Sequence, residues 1–259
     1  MKVLFAIVLV FFANCSFGQL VTSAGTPSAL VQNVLLGSGV TVSNIMYTGS
    51  PSAIGSFTAA GTNLGIASGI VMTTGTIVNN GNGPQGPNNA SGSGIDNGAG
   101  GSPQLSGLIG GTATHNAAIL QFDFIPYSDT VRFKYSFGSE EYPEYVGSTF
   151  NDVFAFFISG PGIAGGQQNI AKLPNGLPVT INNVNSGLNS AYFVNNGDGT
   201  QAPYNGSNHY IQYDGFTKVL HNKNYIRISN KLYSFLKRVS FYPDFCNGVL
   251  LSKIRGVKF

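Results

Sequence analysis

The sequence predicts an all-β protein: a β-sandwich of jelly-roll or lectin-like kind with a long Gly/Asn-rich loop. Three observations lead there. The 259 residues include 19 Phe and 12 Tyr, ample material for one sizeable core. The 35 Gly and a charged share of only 9% favour short strands and turns over helices. Several runs, AAILQFDFIP and VRFKYSFG above all, are apolar at every second position, the period of a strand with one buried face.

Residues 1–18 read as a signal peptide. Lys2 supplies the positive start, Val3 to Ala13 is an apolar run of eleven, and Ser16-Phe17-Gly18 gives the small residues a signal peptidase needs before Gln19. That run is too short to span a bilayer, and no later stretch is long and apolar enough to be a transmembrane helix. The expected destination is therefore secretion or the cell surface. Cys15 leaves with the leader and Cys246 remains alone, which excludes an intrachain disulfide and a Cys-based zinc site.

Residues 19–217 read as the sandwich domain. Leu30 to Leu36 carries the apolar spacing of one or two helical turns, stopped at Gly37; Val40, Val42 and, after a slip, Ile45 then read as a strand. Ile54–Ile77 continues in strand-like pieces punctuated by Gly. From Gly81 to Gly111 there are eleven glycines in 31 residues, a surface loop that is ordered only where the rest of the chain clamps it. AAILQFDFIP and VRFKYSFG flank PYSD, a turn sequence, and are expected to form a hairpin. VFAFFIS, apolar on both faces, reads as a central strand, and PVTINNV, AYFVNN and HYIQYDGF as short later ones.

Residues 218–259 stand apart in charge. Gln19–Thr217 holds three basic residues and nine acids, a net charge of −6, whereas Lys218–Phe259 holds nine basic residues and one acid, a net charge of +8. The basic isoelectric point thus belongs to the last 42 residues. The acidic body argues against a nucleic-acid partner.

FGSEEYPEYVGSTFNDVFAFFISGPG concentrates Glu140, Glu141, Glu144 and Asp152 in one connection between two strands. Crowded carboxylates repel unless a cation, a base or water surrounds them. One reading is a hard-cation site, Ca2+ by preference, using Glu140, Glu141, Asn151 and Asp152, with Asp198 of NNGDGT from another loop. A second is a glycosidase pair, Glu141 with Asp152. The plain reading is solvated turn acids that cap nearby N–H groups. His115, His209 and His221 are isolated, and no nucleophile elbow or phosphate loop is present. Tyr204, Tyr210 and Tyr213 have the chemistry to stack on sugar rings, but packing in the core or at its rim is the commoner fate.

LVQNVLLGSGVTVSN, IGSF with LGIASGIVMTTG, AAILQFDFIP, the SEEYPEYV block with ND, FF and SGPG, NIAKLPNGLPVTINNVN, and YFVNN followed by YDGFT resemble, in that order, the choice-of-anchor L domain. The resemblance runs from about Leu30 to Thr217. It implies an extracellular, β-rich module of exported proteins in Bacteroidetes-type bacteria, with variable C-terminal anchors and no established catalysis. It maps the family's acidic block onto Glu140, Glu141, Glu144, Asn151 and Asp152, without an assigned role. After YDGFT the family's usual closing strands give way here to a basic sequence with the lone Cys246. We read that ending, 218–259, as one substituted by a frameshift, with a genuine divergent ending as the rival.

The expected function is a non-enzymatic, exported surface or adhesion-type module that binds an extracellular glycan or protein, with Ca2+ as the expected ion if one takes part. The alternative is a glycan-active hydrolase using Glu141 and Asp152.

Overall fold

Alternating Phe, Leu and Val side chains need a partner layer to bury them, and the chain provides two antiparallel sheets that do so for each other. The computed structural model describes residues 19–37, 40–90, 94–126, 131–160, 163, 165–206 and 210–221, and the backbone of 237–244, 248–251 and 255–256. The leader 1–18, the turn residues 127–130, His209 and Cys246 lie outside the described residues.

The first half contributes β1 (Val21–Ala24), β2 (Val40–Thr48), β3 (Ile54–Thr58), β4 (Ser68–Thr73), β5 (Ile119–Pro126), β6 (Val131–Arg132) and β7 (Lys134–Ser139). The second contributes β8 (Val153–Ser159), β9 (Gln167–Asn169), β10 (Val179–Thr180), β11 (Phe193–Asn195), β12 (Gly215–Thr217), β13 (Leu220–His221), β14 (Lys237–Asp244), β15 (Gly248–Leu251) and β16 (Arg255–Gly256). One sheet runs β1-β3-β4-β15-β7-β12-β11, with β13 also on β7. The other runs β10-β8-β14-β5-β2, with β9 also on β8, and β16 pairs with β6 alone. The all-β class predicted from sequence is the class observed.

Both sheets feed one hydrophobic cluster. Ile70, Met72, Phe133, Tyr135 and Phe137 come from the first sheet and its approach, and Leu120, Phe122, Phe124, Phe154, Phe156 and Ile158 from the second. Ring pairs cross the interface: Phe133 and Phe156 have centroids 4.1 Å apart, Tyr135 and Phe154 5.1 Å. Burying each such ring stabilises the fold by about 2–3 kcal/mol relative to exposure. The apolar segment at Leu30 forms helical turns as expected. Thr26 caps α1 (Pro27–Ala29) by accepting from the Ala29 N–H at 3.3 Å, and the coil continues to Leu35, burying Leu30, Val31 and Leu35. The slip expected in the next strand is a bulge between Ser43 and Met46, with Asn44 at φ +51°.

One expectation needs revision. AAILQFDFIP and VRFKYSFG do not form a hairpin: β5 pairs with β2 and β14, while β7 pairs with β12, β13 and β15 in the opposite sheet. A period of two shows which face is buried but not which strand lies alongside, so adjacent runs can equally turn a corner between layers. The basic segment 218–259, set apart by its charge, lends backbone to both sheets. Its β14 lies between β5 and β8, with Val239 opposite Phe122 and Ile158, and its β15 lies between β4 and β7.

Candidate functional site

The chain leaves β7 at Ser139 and enters β8 at Val153, so residues 140–152 carry it from one sheet to the other. The connection is a run of turns, with Tyr145 N–H donating to Glu141 O at 3.1 Å and Ser148 N–H to Tyr145 O at 3.0 Å. Its ends are tied by a serine and a carboxylate. Ser139 Oγ donates to Asp152 Oδ2 at 2.6 Å and accepts from the Glu141 N–H at 2.9 Å. Asp152 is fully buried and Glu140 nearly so.

Tyr142 anchors the middle of the connection. It is buried, its ring lies 4.7 Å from that of Phe193, and its hydroxyl donates to Val184 O. Room for it comes from Gly215 in β12, where a Cβ would stand 2.6 Å from both the Tyr142 and Phe193 rings. In β7, a Cβ on Gly138 would likewise meet the Tyr213 ring at 2.6 Å. The glycines of FGS and YDGF therefore let two tyrosines pack against a sheet backbone. The far end of the loop is fastened to the Asn-rich segment that follows β10. Asn182 Nδ2 donates to Ser148 O at 3.1 Å, its Oδ1 accepts from the Gly147 N–H, and Asn151 Oδ1 accepts from the Asn182 N–H at 3.1 Å.

These contacts sort the predicted residues. Glu140 and Asp152 are buried beneath the loop, and the charge of both adds to desolvation in pushing the Tyr213 phenol up. Glu141 is half-buried; desolvation first and the neighbouring Glu144 second raise its carboxyl above the ordinary range. Glu144 is exposed. Asn151 is engaged with Asn182. Asp198 belongs to a separate turn, accepting from the Thr200 N–H at 3.0 Å and the Thr200 hydroxyl at 2.6 Å, which holds its carboxyl low. Among the described residues, no three carboxylate, imidazole or thiolate side chains are grouped so as to hold a metal ion. The five candidate ligands are thus spread over several separate tasks. The Glu141–Asp152 pair is not a pair facing one opening, because Asp152 is wholly enclosed and bound to Ser139. Of the three tyrosines considered for stacking, Tyr213 is core, while Tyr204 and Tyr210 pack edge-on at 4.9 Å.

What the loop turns outward is aromatic. Tyr145 and Phe150 are 44% and 47% exposed, and their rings meet edge to face with centroids 5.1 Å apart. Glu141 and Glu144 lie on the same connection.

The profile of the choice-of-anchor L domain matches residues 19–235. The chain belongs to the choice-of-anchor L family. Membership places the choice-of-anchor L domain here among surface-associated modules rather than enzymes, and the match continues past Thr217 into the basic segment. Neither a curated protein nor a solved structure matches the chain. No helix among the described residues is long and apolar enough to cross a membrane.

Sequence reasoning missed Asp214, the residue before Gly215 in YDGF. It is fully buried and accepts from Asn88 Nδ2 at 2.9 Å. Burial pushes its carboxyl up to about 7; the hydrogen bond from Asn88 opposes the shift, and the charges of Glu144 and Asp198 add to it. The Asn88 partner, distant in sequence inside the Gly-rich loop, gave no local signal. In this choice-of-anchor L domain Asp123, Glu140, Asp152 and Asp214 are interior acids, whereas Glu141 and Glu144 form an outer set on the loop.

Proposed function

We propose that this is an exported, non-enzymatic surface module that binds an extracellular glycan through the outer face of the 140–152 loop. The observation that carries the reading is the exposed Tyr145–Phe150 ring pair on a loop held rigidly from beneath. Exposed rings on a mobile loop would lose entropy on binding; here Tyr142, Ser139, Asp152 and Asn182 have already fixed the backbone. Aromatic faces accept the C–H faces of sugars, and carboxylates such as Glu141 and Glu144 accept hydrogen bonds from sugar hydroxyls. The burial of Asp152 disfavours the hydrolase alternative, since a glycosidase needs two carboxyl groups flanking one bond in the substrate.

The test is a glycan array with the protein and with the double variant Tyr145→Ala/Phe150→Ala. Binding to a defined glycan class, lost in the double variant with the melting temperature kept, supports the reading. Binding that the double variant retains, or no glycan bound while an extracellular protein is captured through the same rings, overturns it. A reducing-sugar assay on any bound glycan would expose hydrolysis by release of new ends.

A further inference from the structure

Three loops converge on Asp214, and their oxygens outnumber the protons available to them. Asp214 Oδ1 accepts from Asn88 Nδ2 at 2.9 Å, while Oδ2 is buried with no hydrogen-bond partner. The same amide nitrogen faces the carbonyl oxygens of Asn196 at 3.2 Å and Gly197 at 3.1 Å. A carboxamide nitrogen carries two hydrogens, so three acceptors compete for them. Asp214, Asn88 and Asn196 are all fully buried, where a charge without a counter-charge is costly.

We propose that this junction of residues 84–90, 195–200 and 210–214 binds a hard divalent cation, Ca2+ by its ligand chemistry, with the Asp214 carboxylate as the charged ligand. Turned about its last bond, Asn88 presents Oδ1 where Nδ2 now stands. That oxygen would then lie 2.9–3.2 Å from Asp214 Oδ1, Asn196 O and Gly197 O. Such spacing is what neighbouring ligands adopt around an ion that takes oxygens at about 2.3–2.6 Å. Gln212, whose amide nitrogen lies 3.3 Å from Asn88 Oδ1, can turn with it and keep their mutual hydrogen bond, at the loss of its 3.3 Å contact to Ala90 O.

The carbonyls are placed in advance. The Asn196 N–H donates to Asp214 O at 2.8 Å, and Asn196 Nδ2 donates to Ile211 O at 2.8 Å and Tyr213 O at 2.9 Å. Burial raises the Asp214 carboxyl, the hydrogen bond from Asn88 opposes this, and Glu144 and Asp198 both add negative field there. The ligand set is one carboxylate with amide and backbone oxygens, which suits the modest affinity of extracellular Ca2+ modules, about 10⁻⁴–10⁻³ M. It differs from the outer acids of the 140–152 loop and does not depend on the glycan reading.

The experiment follows thermal unfolding of the protein at pH 8, first with EGTA and then with millimolar CaCl2. The expected result is a rise in Tm of about 5 °C with CaCl2. Asp214→Asn, which keeps the shape and an acceptor for Asn88, should melt at one temperature in both conditions. Glu141→Gln/Glu144→Gln should keep the rise, reduced only by the lost field of Glu144 at Asp214. No rise in the unaltered protein, a full rise in Asp214→Asn, or loss of the rise in the Glu141/Glu144 variant each overturns the proposal. If Asp214→Asn does not fold, Tb3+ luminescence of the unaltered protein decides. Excitation through the adjacent Tyr213 should give an emission that CaCl2 removes, and its absence sinks the site.

Discussion

The 140–152 loop and the Gly-rich segment 81–111 are both long connections with little regular structure, yet they are held by different chemistry. The first is pinned by a buried ring, Tyr142, and by the Ser139–Asp152 hydrogen bond across its ends. The second is pinned by amides. Gln85 donates to Ile77 O at 2.8 Å, Asn88 reaches Asn196, Gly197 and Asp214, and Asn97 Nδ2 donates to Thr74 O at 2.7 Å. Within it, Ser102 caps α2 (Pro103–Leu108), which sinks Leu105 into the core. Ring anchoring leaves the outer side chains of the first loop available, including Tyr145 and Phe150. Amide anchoring draws the second loop inward and brings Asn88 against Asp214. A loop held by its apolar underside can present a surface, and a loop held by its polar groups can enclose a site.

Both loops hang from strands that depend on the basic segment, so the largest effect should come from removing it. A chain ending at Thr217 loses β14 from beside β8 and β5, and β15 from beside β7 and β4. Each sheet is then divided, with long edges exposed. The expected outcome is loss of cooperative unfolding in calorimetry and aggregation during purification. A sharp transition near that of the full chain would show that the two loops are supported without the basic segment.

The next effect singles out the ring-anchored loop. Gly215→Ala places a methyl 2.6 Å from the Tyr142 and Phe193 rings, a clash that should cost about 2–3 kcal/mol. Urea unfolding measures it, and protease cleavage within 140–152 should rise while cleavage within 81–111 stays unchanged. Equal sensitivity of both segments would mean that they form one unit.

Asn88→Ala does the converse. It strips Asp214 Oδ1 and two carbonyls of their donor, at an expected cost of about 2 kcal/mol, with proteolysis now rising within 81–111. The unaltered protein carries a pH signature of the same site. The Asp214 carboxyl is raised from 3.8 to about 7 in the fold, so its proton stabilises the native state fully below about pH 4. That contribution is lost as the pH rises through 7. In EGTA, stability should therefore fall across that window, and Asp214→Asn should remove that part of the fall. A profile unchanged by Asp214→Asn would place the titration elsewhere.

How much of this was readable in advance follows from the kind of signal each feature leaves. Alternation in AAILQFDFIP and VRFKYSFG gave strands and buried faces, because side-chain direction is a local property of extended backbone. It did not give their separation into opposite sheets, which depends on β14 and β15 more than a hundred residues later. Clustered acids marked the 140–152 loop because charge is scarce in this chain, but they could not show that Asp152 faces inward to Ser139 while Glu144 faces water. Asp214 and Asn88 left no mark, since an isolated Asp and an Asn in a Gly-rich stretch look like any other turn residues.

The smallest effect on stability belongs to the rings that the comparison treats as presented rather than structural. Tyr145 and Phe150 touch each other and solvent, and neither belongs to the buried clusters. Tyr145→Ala/Phe150→Ala should therefore change the unfolding free energy by less than about 1 kcal/mol, the exposed ring pair itself contributing about 0.5 kcal/mol or more. Urea titration gives that value, and protease resistance of 140–152 should stay that of the unaltered protein because Tyr142 and Ser139 remain. A cost of about 3 kcal/mol would mean that the rings brace the loop from above, and the contrast between a presenting loop and an enclosing one would fail at its outer face.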